Sequence, residues 1–278
     1  MTRTKGRAGG KKPPIDYWSH TSLMAFLRNP LAWYKRYVEK IYDTPSSPAG
    51  IVGRAAHVAL QHFYEGASKE ESVELGLEYL RDVPDFEINF GVNRTHAAQK
   101  KKRAAMEKEY KQAVGFYLRR APRYEVLGVE EKGYAYVEGL PLPIKAISDL
   151  VVVSKGNPGC VDIVDHKFVA SFTPKGGYKT QFILQAIFNY YTVKATFNMD
   201  VKRCIFNECK KTRNTNGASQ MRRHVIHFDE CREEFRIFHK LLNEATEEIT
   251  RRRIYLPNPG DMFEGEDSMD MYRLGLIE

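Results

Sequence analysis

Asp149 stands in Ile147-Ser148-Asp149, and Asp165 and Lys167 stand in Asp165-His166-Lys167. Both runs are rich in β-formers, and the stretch from Ser154 to Gly159 between them reads as a turn. A hairpin folded about residue 157 sets position 149 against position 165, so the two carboxylates meet across adjacent strands. Side chains two apart share a face of a strand, which brings the Lys167 ammonium into the same patch. Two carboxylates this close repel each other unless protons or a cation neutralise them. Mg²⁺ takes one or two carboxylates and completes its shell with water and phosphate oxygens. A neighbouring lysine can stabilise charge on that phosphate and orient or deprotonate an attacking water. The chemistry expected is metal-assisted hydrolysis at a phosphate. Asp-x-Lys alone is also the mark of an ordinary salt bridge, and the hairpin register is what raises it to a candidate site. Asp162, three positions before Asp165, falls on the opposite face.

The elements that must position these groups change period along the chain. Ser19 to Ser22 offers hydroxyl caps to a helix that Asn29-Pro30 breaks, and a second helix starts at Leu31 and runs to Val38. Helices are expected over 51–64, about 68–82 and 97–120, with an irregular stretch from Pro84 to Thr95. Strands follow at 124–129, 133–137, 144–153 and 160–168, then a helix over 180–195. A strand pair at 201–208 and 222–228 flanks a polar loop, and Asp229 is expected to cap a last helix whose Phe235, Phe238, Leu242, Ala245 and Ile249 share one face. The order implies an α+β (mixed α/β) fold, with a mostly antiparallel central sheet, one crossover helix and flanking helices.

The chain has 278 residues, enough for a sizeable core, and 43 Lys+Arg against 35 Asp+Glu give a net charge of +8. Five of the positive charges precede Asp16, so residues 1–14 read as a basic flexible tail and the remainder carries only +3. Residues 15–278 read as one domain, with a helical part to 120, a sheet-and-helix part to 228 and a C-terminal helix with an acidic end. No apolar run reaches a membrane span, and the N-terminus lacks a secretory h-region, so a cytoplasmic protein without a membrane partner is expected. Cys160, Cys204, Cys209 and Cys231 match neither a zinc pattern nor a disulfide scaffold and are expected to be reduced thiols.

The chain resembles the PD-(D/E)XK nucleases, in particular their RecB-like exonuclease branch. The resemblance rests on Gly53-Arg-Ala-Ala-His57, Asp149, Asp165-His166-Lys167, the helix carrying Gln181, Gln185, Tyr190 and Tyr191, and the opening from Ser19 to Pro30. It implies a restriction-endonuclease-like core and a Mg²⁺- or Mn²⁺-dependent DNA exonuclease, in a phage or bacterial setting of recombination, repair or processing with a possible recombination or helicase partner. The alternatives are a structure-specific endonuclease on the same core and a catalytically silent DNA-binding subunit. In the implied roles His57, Asp149, Asp165 and the backbone carbonyl of His166 hold the metal, with Glu130 as a further acidic position, and Lys167 is the catalytic lysine. Asn189 stands where Gln185-x-x-x-Tyr would require tyrosine, so either Gln181 or Gln185 takes the glutamine's part. The cysteines that hold an iron–sulfur cluster in several relatives have no counterpart at Asn29-Pro30 or at 257–261, and no cluster is expected.

Ser22, Arg28, Tyr34, Arg54 and Tyr190 are the DNA-contact candidates. Trp18, Trp33, Tyr34 and Tyr37 lie beside Arg28, Lys35 and Arg36, a mixture that can stack unpaired bases or simply pack a core. Arg251 to Arg253 and Lys100 to Arg103 could follow a phosphate backbone, although solvated helix faces are the default. His224 and His227, on a predicted strand, are expected at the surface.

Overall fold

The structure, a computed structural model, describes residues 12–258 apart from 43, 92–94, 216 and 252–253. Most of the basic tail, the acidic end, and Arg252 and Arg253 lie outside the described residues. A two-residue strand β1 (Trp18–Ser19) leads into α1 (His20–Arg28), whose N-cap Ser19 accepts from the Ser22 amide. Asn29 ends α1 and caps the short α2 (Pro30–Trp33). The expected continuation to Val38 is a π-helical turn, Tyr34–Val38. Then come α3 (Pro48–Tyr64), α4 (Lys69–Asp82) and α5 (His96–Arg119), each capped by a Ser or Thr hydroxyl. Between α4 and α5 the irregular stretch holds a 3₁₀ turn, Asp85–Glu87.

The expected strands at 124–129 and 133–137 are one strand, β2 (Val126–Ala135), followed by β3 (Ile144–Val153) and β4 (Cys160–Val169). The charged Glu130-Glu131-Lys132 imitates a turn, but the chain reverses later, where Leu140 N–H bonds Val137 O and Gly139 takes φ 81°. Helix α6 (Tyr178–Phe197) crosses over to β5 (Asp200–Lys210), and β6 (Met221–His227) returns. The last helix, α7 (Arg232–Thr250), is entered through a 3₁₀ turn at Phe228–Glu230, so Cys231 rather than Asp229 occupies the N-cap.

These strands form a mixed six-stranded sheet in the order β1-β3-β4-β5-β6, with β2 also on β3. The β2–β3, β3–β4 and β5–β6 pairs are antiparallel; β1–β3 and β4–β5 are parallel. One edge of β3 is shared. β1 pairs with residues 144–145 and β4 with residues 150–153, so residues 146–149 have no strand partner there among the described residues. Beyond Val164, β4 leaves β3 and pairs with β5 alone. The sheet is thus forked where Asp149 and Asp165 stand.

Alternation assigns the faces. Phe206 stacks on Phe182 of α6 at 4.4 Å, while Cys209 and the His166 ring pack towards α3 and α5. Trp18, Trp33, Phe188 and Phe238 are fully buried in a third cluster where α1, α6 and α7 meet, so these tryptophans are core and not base platforms. All four cysteines are free thiols, and none of the described helices is long and apolar enough to cross a membrane.

Helix α6 approaches β2 at Gly133, where a Cβ would lie 2.7 Å from Thr192 Cβ and 3.1 Å from Thr192 O. Gly133→Ala is therefore expected to push α6 off the sheet and cost about 1–3 kcal/mol, the range for overpacking a filled core. Urea unfolding should show a lower midpoint with unchanged slope; an unaltered midpoint would remove Gly133 from the packing argument.

Candidate active site

The register carries three carboxylates into one row. The β3–β4 pairs run from Val153↔Val161 to Leu150↔Val164 and stop there; Asp149 and Asp165 are the next residues on the two parting strands, close enough to act on each other's charge. On the other side of β3, Val129↔Leu150 and Glu131↔Ser148 bracket Glu130 opposite Asp149. Glu130 takes φ 49°, left-handed for a residue with a side chain, a twist that re-aims its carboxylate. From α3, His57 reaches over the row, with Nδ1 3.4 Å from Asp149 Oδ2 and 4.0 Å from Glu130 Oε1. Ligand atoms of His57, Glu130 and Asp149 all lie within 4.8 Å of one another, a set of nitrogen and oxygen donors suited to Mn²⁺ or Mg²⁺.

Asp165 is buried. Its Oδ2 accepts from Gln185 Nε2 at 2.5 Å, and Lys167 Nζ is 2.7 Å from Oδ1. A carboxylate oxygen has two lone pairs, so Oδ1 can face the ammonium and still coordinate a cation. Lys167 in turn donates to Gln185 Oε1 at 3.0 Å. One amide on α6 therefore holds both the acid and the amine, and of the two candidate glutamines Gln185 makes this contact. The His166 N–H donates to Asp149 Oδ2 at 2.6 Å, while its side chain turns to the other face, stacks on Tyr64 and bonds Tyr117 Oη at 2.9 Å. Asp162 points away from the row into an ion pair with Arg203.

Gln181, one turn earlier on α6, meets Thr173 Oγ1 at 3.1 Å, and that hydroxyl also lies 2.5 Å from Glu208 Oε1. Glu208 is fully buried, accepts from the Thr173 amide and pairs with His224 at 3.0 Å. The expectation of a surface His224 is corrected: Tyr178 stacks on it at 4.9 Å, and only His227 is exposed. Glu208 stands beside Lys167 in the β4–β5 register, a neighbour that the parallel offset between the two strands could have revealed.

The proposed DNA contacts fare unevenly. Ser22 is buried and its Oγ accepts from the Trp33 indole, so it has a structural partner in place of a ligand. Tyr34 is stacked on Tyr255 at 4.8 Å, and Tyr190 packs among Phe228, Phe235 and Tyr191, so both half-buried rings already have aromatic partners. Arg28 is exposed at the end of α1, and Arg54, exposed on α3 one turn before His57, bonds Tyr79 Oη at 3.1 Å.

The sequence profile described as "PD-(D/E)XK nuclease superfamily" matches residues 17–262. The chain belongs to that superfamily. Among solved structures, a candidate exonuclease from Eubacterium rectale superposes on this nuclease with a TM-score of 0.57 at 12% identity, covering 88% of this chain and 85% of its own. LHK-Exo in complex with dAMP matches 73% of this chain and 94% of its own at 13% identity, with a TM-score of 0.24. No curated protein sequence matches significantly. The superfamily uses divalent metals, and the carboxylate row with His57 offers a matching donor set.

Electrostatics in the nuclease follow from packing these charges together. Burial alone would lower the His57 pKa, but Asp149 overrides it and raises it to about 9. Burial and then Asp149 raise Glu130 to about 7. Burial also raises Asp165, to about 6, Lys167 opposing and Asp149 adding. Burial works against the Asp149 carboxylate too, yet His57 holds its pKa well below the ordinary range. Burial, then the charge of Lys167, lowers His20 to about 4 and marks it as a neutral ring near that amine, a closeness for which the cap pattern of Ser19 to Ser22 carries no signal.

The metal-free row thus holds protons that a cation must displace. Each group is protonated below its own pKa, so raising pH from about 6 to about 9 removes the competitors in the order Asp165, Glu130, His57. Mn²⁺ affinity, measured by calorimetry at pH 6 and pH 9, is expected to rise by at least about tenfold, since proton competition of one group over one pH unit already gives a factor of ten. A pH-independent affinity would mean that these residues do not bind the ion.

Proposed function

We propose that this nuclease is a Mg²⁺- or Mn²⁺-dependent DNA exonuclease of the RecB-like branch, acting in DNA recombination, repair or processing. The observation that carries the reading is the row Glu130, Asp149 and Asp165, capped by His57 and flanked by Lys167, in the fork of the sheet. A bound divalent cation supplies charge neutralisation at the phosphate and lowers the pKa of an attacking water. Asp149, Asp165, His57 and the His166 carbonyl are its proposed ligands, with Glu130 as a further one. Lys167 stabilises negative charge on the phosphate and orients the water. Gln185 keeps Lys167 and Asp165 at their spacing, so that neither side chain must reorganise as charge develops.

End-labelled linear single- and double-stranded DNA, together with closed circles, should be digested with Mg²⁺, with Mn²⁺ and with EDTA. The expected result is metal-dependent release of nucleotides from linear DNA with circles left intact. Cutting of circles would replace the exonuclease by an endonuclease, and no hydrolysis of any form would leave a silent DNA-binding subunit.

Asp165→Ala and Lys167→Ala are each expected to lower kcat by about a thousandfold or more, the scale for removing transition-state charge stabilisation. Gln185→Ala should cost about 10–100-fold, as for groups that orient a metal's ligands. Asp162→Ala should cut at nearly the normal rate, although Arg203 keeps only the Lys155 carbonyl as a partner and stability falls by about 1–3 kcal/mol. Single-turnover kinetics and thermal melts of the four variants check this pattern, and normal rates for Asp165→Ala and Lys167→Ala would move the site elsewhere.

A further inference from the structure

Two stretches far apart in sequence meet beside the sheet. Residues 110–123, the end of α5 and the turn after it, contain Lys111, Arg119, Arg120 and Arg123 and no acidic residue. Residues 209–223, the β5–β6 hairpin, contain Lys210, Lys211, Arg213, Arg222 and Arg223 and likewise none. Two adjoining clefts between them share Phe116, Arg119 and Gln220 as lining, one adding Arg120 and the other Arg213.

Part of this charge is already committed. Lys211 is buried against Glu109 at 2.6 Å, and Arg222 donates to Thr173 O while stacked on Phe172. Arg119, Arg120 and Arg213 are exposed and have no carboxylate in ion-pair reach among the described residues. The guanidinium of Arg119 lies over the Phe116 ring at 5.9 Å, which orients its remaining donors. The partial negative charge at the end of α5 attracts Arg119 and Arg120, but it gives no reason for Arg213 to arrive from the hairpin.

The place matters as much as the charge. Val169 pairs with Lys210 two residues past the Lys167–Glu208 row, about 7 Å along the strand. The hairpin therefore leaves the sheet at the end where Asp165 and Lys167 stand. Unpaired guanidiniums around an aromatic floor suit a chain of phosphates, which they bind by forked hydrogen bonds without reading sequence.

We infer that the end of α5 and the β5–β6 hairpin form a second nucleic-acid contact, a cationic cleft on the α5 face of the sheet that grips the sugar–phosphate backbone of a strand coming round the ends of β4 and β5 from the proposed catalytic row on the other face. The inference rests on the nuclease acting on DNA. It assigns Arg119, Arg120 and Arg213 to holding the strand and gives them no part in bond cleavage.

The test compares the full chain with the Arg119→Gln/Arg213→Gln variant. Anisotropy of a labelled single-stranded 30-mer is measured with Ca²⁺ in place of Mg²⁺, from about 50 to 200 mM KCl, the range over which phosphate contacts are exposed by salt. The variant is expected to bind about tenfold more weakly at the lower salt. Its log K against log[salt] slope should be shallower by about 1.4, the value for two lost phosphate contacts on a single strand. Hydrolysis of the p-nitrophenyl ester of thymidine 5′-phosphate with Mn²⁺, too short to reach the cleft, should be equal in the two proteins.

Equal affinities and slopes would overturn the cleft. Should the double variant melt early or lose ester hydrolysis, Arg213→Gln alone decides: half the slope change supports the cleft and none overturns it. If the unaltered protein hydrolyses neither ester nor DNA, the exonuclease reading fails, while the binding comparison still judges the cleft.

Discussion

The fork on one edge of β3 is the constraint from which the rest follows. β1 covers the start of that edge and β4 its end, and among the described residues no strand satisfies the backbone between them. An ordinary sheet would place a carbonyl opposite the His166 N–H; here the carboxylate of Asp149 takes that place. The gap leaves the His166 N–H free of a strand partner on the β3 side, and that is what lets it hold the Asp149 carboxylate beside Asp165. Three carboxylates in a row are unfavourable by themselves, so the surroundings must supply positive charge or protons. His57, Lys167 and the raised pKa values of Glu130 and Asp165 are that supply.

Everything packed around the fork keeps it rigid. Helix α6 sits close enough to β2 for Thr192 to occupy the space a side chain at Gly133 would need, and the same helix presents Gln185 to Asp165 and Lys167. Behind β4, the His166 ring is wedged against Tyr64 and bonded to Tyr117, which itself lies 3.1 Å from the Tyr64 hydroxyl. This strand is anchored from both faces, so the acid and amine it carries cannot swing apart without disturbing two layers. Buried charge is tolerable only when paired and hydrogen-bonded in this way.

How much of this was legible in the chain depends on the range of the interaction. The nearness of Asp149 and Asp165 was legible because a compact turn fixes the register of the hairpin as far as Leu150↔Val164, one residue short of them. The partner of Asp149 on β2 was harder: Glu130-Glu131-Lys132 has the polarity of a loop, and periodicity does not show that a residue in left-handed conformation continues a strand. The contacts of Ser22 with Trp33 and of Tyr34 with Tyr255 are set by tertiary packing and leave no mark in the local spacing. His224 failed for a similar reason. Alternation says which residues share a face, but burial there was decided by Glu208 and Tyr178 from other elements.

The Thr173 hydroxyl has a consequence for which way an amide points. It carries a single proton and lies near two oxygens, with Glu208 the nearer. With that proton given to Glu208, Gln181 must turn its –NH₂ towards Thr173 to avoid setting two lone pairs against each other. Its carbonyl oxygen then faces outward, one helical turn from Gln185. Above the ends of β4 and β5 this leaves an exposed acceptor, a polarity that welcomes a water molecule or a sugar hydroxyl and turns away a phosphate oxygen.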